Sequence, residues 1–233
     1  MTIDPSKAIG AYAAVATLAA AWLALGGAAG PGAEAPTRFK VIDVERINVR
    51  EPDGTLRMTI AGQGRMPGAI VEGREYPHPN RQDAGMIFYN DEGTENGGLV
   101  FDGRLVDGKP TNAGSLTFDR WRQDQTIQMT STEDGPERMA ALIVSDRPDG
   151  PMDFTAIDTV RAMPKGAARD AAIASANFGG ARRVYLGRTP AGVSQLALSD
   201  GAGRPRVRIS VDAKGAGQIA FLDQAGTVTR VVE

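Results

Sequence analysis

His78 is the first residue to consider for chemistry, because it is the single histidine of a chain that has no cysteine. A Ser-His-Asp triad or a zinc site would have to use this imidazole. It lies between Pro77 and Pro79 in a polar stretch, with no nucleophile elbow or metal-ligand spacing nearby. We therefore interpret His78 as a surface loop residue, and we expect no catalytic residue, metal site or cofactor site.

Acidic residues give two further candidates. Asp91, Glu92 and Glu95 surround Gly93, and oxygen-rich turns can hold calcium. The order of acids found in an EF-hand loop is absent, however, so this cluster is interpreted as a charged hairpin tip. A glycosidase would need two carboxylates at a defined separation, for instance Asp119 with Asp124, and spacing along the chain does not give that separation.

The phrase Asp-x-x-Gly-x-x-Arg recurs, and its arginines, such as Arg57 and Arg206, could line one binding face. The structural alternative is an arginine that bonds the acidic turn beside it. Because the phrase returns at each turn, the structural role is favoured.

Trp121 lies between Arg120 and Arg122, an aromatic residue flanked by cations of the kind found at interfaces. A partly buried tryptophan within a sheet explains the same pattern equally well. Trp121, Arg120, Arg122 and His78 are the candidate interface residues of the sequence.

The elements that must position these residues are clearest in the last third of the chain. A polar residue, two more residues and a glycine recur four times, with the glycines 11, 12 and 11 residues apart: Gly192, Gly203, Gly215 and Gly226. Glycine tolerates positive φ at a reversal, and Asp bonds its own turn backbone. The flanks alternate between apolar and polar residues, as in residues 206–211. This spacing predicts short antiparallel strands.

The rest of the chain extends this pattern. Strands are predicted over 41–50, 86–89, 97–101 and 139–144, with a long loop over 62–83 and a turn at 90–93. Residues 153–177 predict a helical hairpin, with Asp153 as N-cap and Pro164 ending the first helix. The predicted fold class is mainly β, an antiparallel β-meander of short strands with an inserted helical hairpin and an N-terminal transmembrane helix. The sequence does not decide whether the sheet closes as a barrel, a sandwich or a propeller-like sheet.

The first 38 residues are set apart by composition. A tail of residues 1–7 precedes 23 uncharged residues, 8–30, which are long enough to cross a bilayer as a helix; its anchor residues include Tyr12, Leu18, Trp22, Leu23 and Leu25. Residues 31–38 are a linker to a β-rich domain at 39–233. A cleaved signal peptide and a buried core helix are the alternatives. A single-pass protein with an extracytoplasmic, periplasmic domain is favoured.

Bulk composition excludes several classes of protein. The net charge is −2 with the two signs interspersed. The sequence therefore shows no basic cluster of the kind that binds nucleic acid. The absence of cysteine removes disulfides and zinc-thiolate sites together. Apolar residues make up 42% of the chain, which is enough for a core.

Two segments carry a resemblance. Residues 45–57, ERINVREPDGTLR, and 84–101, AGMIFYNDEGTENGGLVF, resemble segments shared by a group of uncharacterised bacterial membrane-anchored β-repeat proteins. The resemblance covers most of residues 40–233. It implies a membrane segment, β repeats and a short helical insertion, and it implies no established activity.

These observations favour a non-enzymatic accessory or scaffolding subunit anchored in a membrane. Its expected partners are the bilayer and integral membrane proteins, for example those of a photosynthetic or respiratory assembly. The alternative is an extracytoplasmic module that binds carbohydrate or envelope polymer through exposed strand faces. An enzyme that works by carboxylates alone is the third interpretation.

Overall fold

The fold is a β-meander with a short helical insertion. A computed structural model describes residues 36–79 and 81–233, apart from the side chains of Asp158 and Arg161. The elements in chain order are β1 (Arg46–Arg50), β2 (Leu56–Ala61), β3 (Ala69–Val71), β4 (Arg74–Tyr76), β5 (Ala84–Tyr89), β6 (Glu95–Val106), β7 (Lys109–Asp119), β8 (Gln125–Asp134), β9 (Glu137–Asp146), α1 (Ile157–Ala162), α2 (Ala167–Ser175), β10 (Ala181–Arg188), β11 (Ser194–Ser199), β12 (Pro205–Val211), β13 (Gly217–Leu222) and β14 (Val228–Val232).

Twelve of the strands form one antiparallel sheet in the order β1-β2-β5-β6-β7-β8-β9-β10-β11-β12-β13-β14. Among the described residues β1 and β14 do not pair with each other, so the sheet is open and these two short strands form its edges. The mainly β, antiparallel meander predicted from the sequence is confirmed. Of the closures that the sequence left open, none is present in the described part of the chain.

Seven of the reversals share one backbone geometry. In each, the first residue donates its N–H to the carbonyl of the fifth, and the fourth donates back to the first; the turns begin at Glu51, Asn90, Arg120, Thr189, Asp200, Asp212 and Asp223. Gly occupies the fourth position of six of them and has positive φ there, for example +94° at Gly215. The four-fold repeat of the sequence is therefore part of a seven-fold one.

The aspartates of these turns bond as the sequence predicts. The Asp212 carboxylate accepts hydrogen bonds from the backbone N–H groups of Lys214 at 2.8 Å and Ala216 at 2.9 Å. Asp200 and Asp223 repeat both bonds in their own turns. These bonds lower the pKa of Asp212, because the backbone N–H groups stabilise its charged form.

Three local predictions need correction. The predicted loop over 62–83 contains the β3–β4 hairpin, a separate two-stranded sheet. The strand predicted over 41–50 begins at Arg46. Asp153 does not cap a helix: it accepts from the N–H of Thr155 and Ala156, and α1 begins after Ala156 without a side-chain cap.

The main buried apolar cluster is small. Leu56, Ile70, Ile87 and Tyr89 form it, so the β3–β4 hairpin packs on the sheet through Ile70. A second group of buried residues, Met152, Val160 and Ala176, lies in the helical insertion. Each of these two groups involves only a few neighbouring elements, and neither runs across all twelve strands of the sheet.

The predicted membrane anchor, with Tyr12, Leu18, Trp22, Leu23 and Leu25, lies outside the described residues. Within residues 36–79 and 81–233, no helix is both long and apolar enough to span a bilayer. The sheet lies in one compact unit, Val44–Glu233.

Candidate functional site

Strand register places one apolar residue from every strand of the sheet in a single row. Residues paired directly across antiparallel strands project from the same side of the sheet. Following the pairs from β1 to β14 gives the first row: Ile47, Ile60, Met86, Leu99, Leu116, Met129, Leu142, Leu186, Leu196, Ile209, Ile219 and Val232. Each of the twelve is aliphatic or methionine.

A second row runs beside the first on the same side of the sheet, two residues along each strand. It consists of Val49, Met58, Phe88, Gly97, Phe118, Ile127, Val144, Val184, Leu198, Val207, Phe221 and Arg230. Ten of these are large and apolar, and the single charge lies on the edge strand β14. The two rows together are called the apolar face.

None of the 22 large apolar side chains of the apolar face is buried. Twelve of them are 37% to 55% exposed, among them Met129, Leu186 and Phe118. On the opposite side of the same strands, called the covered face, Thr59 is 0%, Ile87 3% and Ala220 1% exposed. The fully buried residues of the sheet therefore lie on the covered face, while the rows of large apolar side chains on the other side stay open, which is unusual in a globular domain.

The two elements outside the large sheet, the β3–β4 hairpin and the helical insertion, lie on the side of the covered face. The β3–β4 hairpin meets Ile87 and Tyr89 there, and the insertion borders a cavity on the same side. The helices have six and nine residues, or about 9 and 14 Å of length, against roughly 53 Å for twelve strands. Neither helix is long enough to shield the apolar face.

Beside the first row, on the same side of the sheet, the surface is not uniform in height. A depression of about 520 Å³ opens over β6–β9, floored in part by Gly114, Ser131 and Ala140. Beside these small residues Phe101 projects, 54% exposed. This side of the sheet thus offers both a recess and a protruding ring, features that a packed partner surface can fill.

Polar and charged side chains line two cavities on the covered face. Two adjoining cavities of about 220 and 130 Å³ share His78, Arg81, Glu95 and Gln125 among their lining residues, and Asp119 lines the smaller. Arg81 donates to both oxygens of Glu95, at 2.9 and 2.8 Å. This bidentate pair is largely shielded from solvent, and it ties the segment after the β3–β4 hairpin to the start of β6.

Asp119 is the acid in this group that lacks a compensating partner. Arg147 lies 3.3 Å from Asp124, whereas Asp119 Oδ1 is buried with no hydrogen-bond partner among the described residues. Burial, followed by the charges of Glu95 and Asp124, raises the pKa of Asp119 from 3.8 to about 8. Asp119 is therefore protonated at neutral pH.

The structure brings Asp119 and Asp124 to one cavity, the pair that the sequence raised for glycoside hydrolysis. Glu95 and Asp124 are each held by an arginine. The cavity of about 130 Å³ beside Asp119 is smaller than the pockets of roughly 300 Å³ or more that usually bind small molecules. The arrangement joins the hairpin and the sheet through buried charges.

The predicted interface residues around Trp121 lie in the β7–β8 turn. Trp121 is 54% exposed, with the Arg122 guanidinium 4.5 Å from its ring centre. Arg120 donates to the carbonyls of Arg147 and Pro148 and to Asp149. Both arginines are thus engaged within the chain, and Trp121 alone offers a free surface.

Arg122 also fixes the predicted acidic tip. It donates to both oxygens of Glu92 at 2.8 Å and forms an ion pair with Glu72. The hydrogen bond from Arg122 is the main cause that lowers the pKa of Glu92 to about 2. Glu92 therefore serves to hold turns together at one end of the sheet.

The arginines of the repeated phrase differ in whether they bond the acidic residue of their turn. Arg57 lies 3.2 Å from Glu51 and 2.7 Å from Asp91, as the structural interpretation requires. In the turn at Asp200 it is Arg204, not Arg206, that bonds the acid, at 2.9 Å. No group of three or more His, Asp or Glu side chains in the described ranges is placed to hold a metal ion.

Comparison of the chain with protein-family models, with curated proteins and with solved structures finds no match. The class that the fold defines is an open, single-sheet antiparallel meander. The conclusions about function that follow depend on the geometry of its two faces.

Sequence reasoning found the alternation in the strands and missed the apolar face that it creates. Part of the signal was present: in residues 206–211 the large apolar residues keep to alternate positions, and the pairs Ile127–Met129 and Leu196–Leu198 have the same spacing. What was lacking was the register between strands, which shows that the apolar positions fall on one side. The shortness of the helical insertion was a second signal that nothing in residues 39–233 could cover that side.

Proposed function

We propose that this protein is a non-enzymatic, membrane-tethered contact protein, an accessory or scaffolding subunit that binds protein through the apolar face of its sheet. The observation that carries the proposal is the pair of rows with 22 large apolar side chains, none of them buried. Exposed apolar patches on soluble monomers rarely exceed a few hundred Å², and larger ones mark interaction sites.

Between its two edge strands the sheet satisfies its own backbone hydrogen bonds, so a partner on the apolar face need only supply complementary side chains. The tether rests on the uncharged stretch of residues 8–30 and stays a proposal, as does an extracytoplasmic location for the sheet. A bilayer would hold such a protein near partners in the same membrane and raise their effective concentration.

The alternative of carbohydrate binding through exposed strand faces finds less support. Sugar hydroxyl groups need hydrogen-bonding side chains, and the open face has large apolar residues at 22 of its 24 positions. The polar groups lie on the opposite side, in small cavities where arginines already hold two of the carboxylates.

Photo-crosslinking tests the proposal in native membranes. Leu186 on the apolar face is replaced by p-benzoylphenylalanine in the full-length chain, with Thr132 on the covered face as the matched position. Adducts of higher protein mass are expected from position 186 and not from position 132. If neither position forms an adduct, or both do so equally, the apolar face is not a protein-binding surface.

A further inference from the structure

The apolar face also indicates which partner covers it. We infer that the apolar face packs against the same face of a second copy of this chain, giving a two-layer sandwich of identical sheets. This inference rests on the proposed function, since it names the occupant of the same surface.

The size of the face is the first argument. Twelve strands about 4.8 Å apart and two rows of side chains give a strip of roughly 53 by 13 Å, about 700 Å² per copy. Two such faces bury about 1,400 Å² together, which lies within the range of specific protein interfaces. A single transmembrane helix of about 20 residues is only some 30 Å long and would leave several strands open.

Charge is the second argument. A two-fold interface brings a surface against itself, so any charge on it meets its own kind. The apolar face has one charge in 24 positions, Arg230, and this residue lies on the edge strand β14 with its guanidinium 5.9 Å from the Phe221 ring centre. Within the two rows no other charge opposes self-association, and Arg188 on β10 lies in the neighbouring row and donates to the carbonyl of Arg138.

Shape is the third argument. The first row crosses every strand from β1 to β14 without interruption, so it is matched in length by itself when a second copy is placed face to face with it. Stacked sheets lie about 10 Å apart with interdigitated side chains. The recess over β6–β9 and the projecting Phe101 ring border the first row on the same side of the sheet.

The absence of cysteine makes a direct test possible. In full overlap the two-fold axis passes between β8 and β9, the central strands, so the two copies of Met129 on β8 come within about 10–15 Å of each other. Full-length chains with Met129→Cys are produced with two different affinity tags in the same cells, and membranes are treated with a bismaleimide of matching length. Thr132→Cys, on the covered face of the same strand, is the control.

A cross-linked species that contains both tags, formed by Met129→Cys at least tenfold more than by Thr132→Cys, is the expected result. Each other outcome overturns the inference. Cross-linking of Met129→Cys to a different protein leaves the proposed function standing. If the thiol of Met129→Cys forms no adduct and reacts with a water-soluble maleimide as fast as that of Thr132→Cys, both proposals are overturned. Modification of the Met129→Cys thiol only by a lipid-soluble reagent also overturns both, since it would place the face against lipid.

A disruptive pair of variants checks the same point without cysteine chemistry. Met129→Arg places a charge in the centre of the face and is expected to weaken self-association of the full-length chain at least tenfold in analytical ultracentrifugation. Thr132→Arg adds the same charge on the covered face and is expected to leave it unchanged. Circular dichroism shows whether both keep their sheet, and equal self-association of two folded variants would contradict the inference.

Discussion

At the scale of single residues, Asp119 is the group whose chemistry is furthest from ordinary. It is buried beside Glu95 and Asp124, and its pKa of about 8 lies well above the usual 3.8. Between those two values the folded protein keeps a proton that the unfolded chain has released. Stability therefore falls as the pH rises from about 4 to about 8, and this part of the loss is complete above pH 8.

Asp119→Asn removes this titration. We expect the variant to be more stable than the parent protein at pH 9, because an amide keeps the site neutral, and close to it in stability at pH 4. Urea unfolding of both proteins across this range gives the difference directly. A variant that is less stable at pH 9 would show that the charged carboxylate is favoured in the fold.

Residue types alone gave part of this picture. The sequence left Asp119 and Asp124 unassigned, because only the fold shows that arginines hold Asp124 and Glu95 while Asp119 stays without one. For Trp121 the pattern left an exposed and a partly buried aromatic residue as equal alternatives. The partners of Arg120 and Arg122 are 25 or more positions away in the chain and depend on how the hairpin and the insertion dock.

At the scale of elements, the turn is the repeating device of the chain. Six of the seven shared turns have Gly at the fourth position, which sequence reading can detect. The turn at Arg120 has Gln123 there, and its positive φ of 50° falls instead on Arg122. Sequence spacing does not reveal it as a member of the series, because its backbone is held by contacts of Arg122 and Gln123 with distant segments.

Paired alanine substitutions separate backbone strain from packing. At Gly215, φ is +94° and an added Cβ would meet no atom within 4 Å, whereas Gly201 has the same open space without a positive φ of this kind. Gly215→Ala is expected to cost about 1 kcal/mol through strain, and Gly201→Ala to be neutral or slightly stabilising.

Denaturant unfolding of the two variants measures this difference under one set of conditions. Equal effects at the two positions would mean that the turn at Asp212 relaxes to a different backbone geometry. The sequence predicted the glycine requirement at Gly215 from spacing alone, since an Asp three residues before a Gly is a turn signal that needs no tertiary contact.

At the scale of the whole molecule, the two sides of the sheet differ. The covered face holds the hairpin, the insertion and the buried charges, and the apolar face is left open by the described residues. Sequence patterning predicted the strands and the meander because both depend on neighbours along the chain. It did not predict that, among the described residues, one face of the sheet stays open, because that depends on which segments fold back over the strands.

If a second copy completes the structure, stability depends on protein concentration. Each tenfold increase in concentration is expected to raise the Tm of the full-length chain by roughly 1–3 °C, since unfolding then also separates two chains. Met129→Arg is expected to have a lower Tm with no such dependence. Calorimetry at three concentrations decides the matter, and a constant Tm for the parent protein would indicate that the sheet unfolds alone.

The order of strands in the sheet has one more consequence. Each strand of the C-terminal half bonds to the strands next to it in the chain, and Gly192 and Gly215 lie 23 residues apart, as do Gly203 and Gly226. A genetic duplication or loss of one such 23-residue block adds or removes a whole hairpin, keeps the inside–outside phase of every other strand and only moves the sheet's margin. The number of strands in the sheet, and with it the width of the sheet, can therefore change during evolution in steps of two strands.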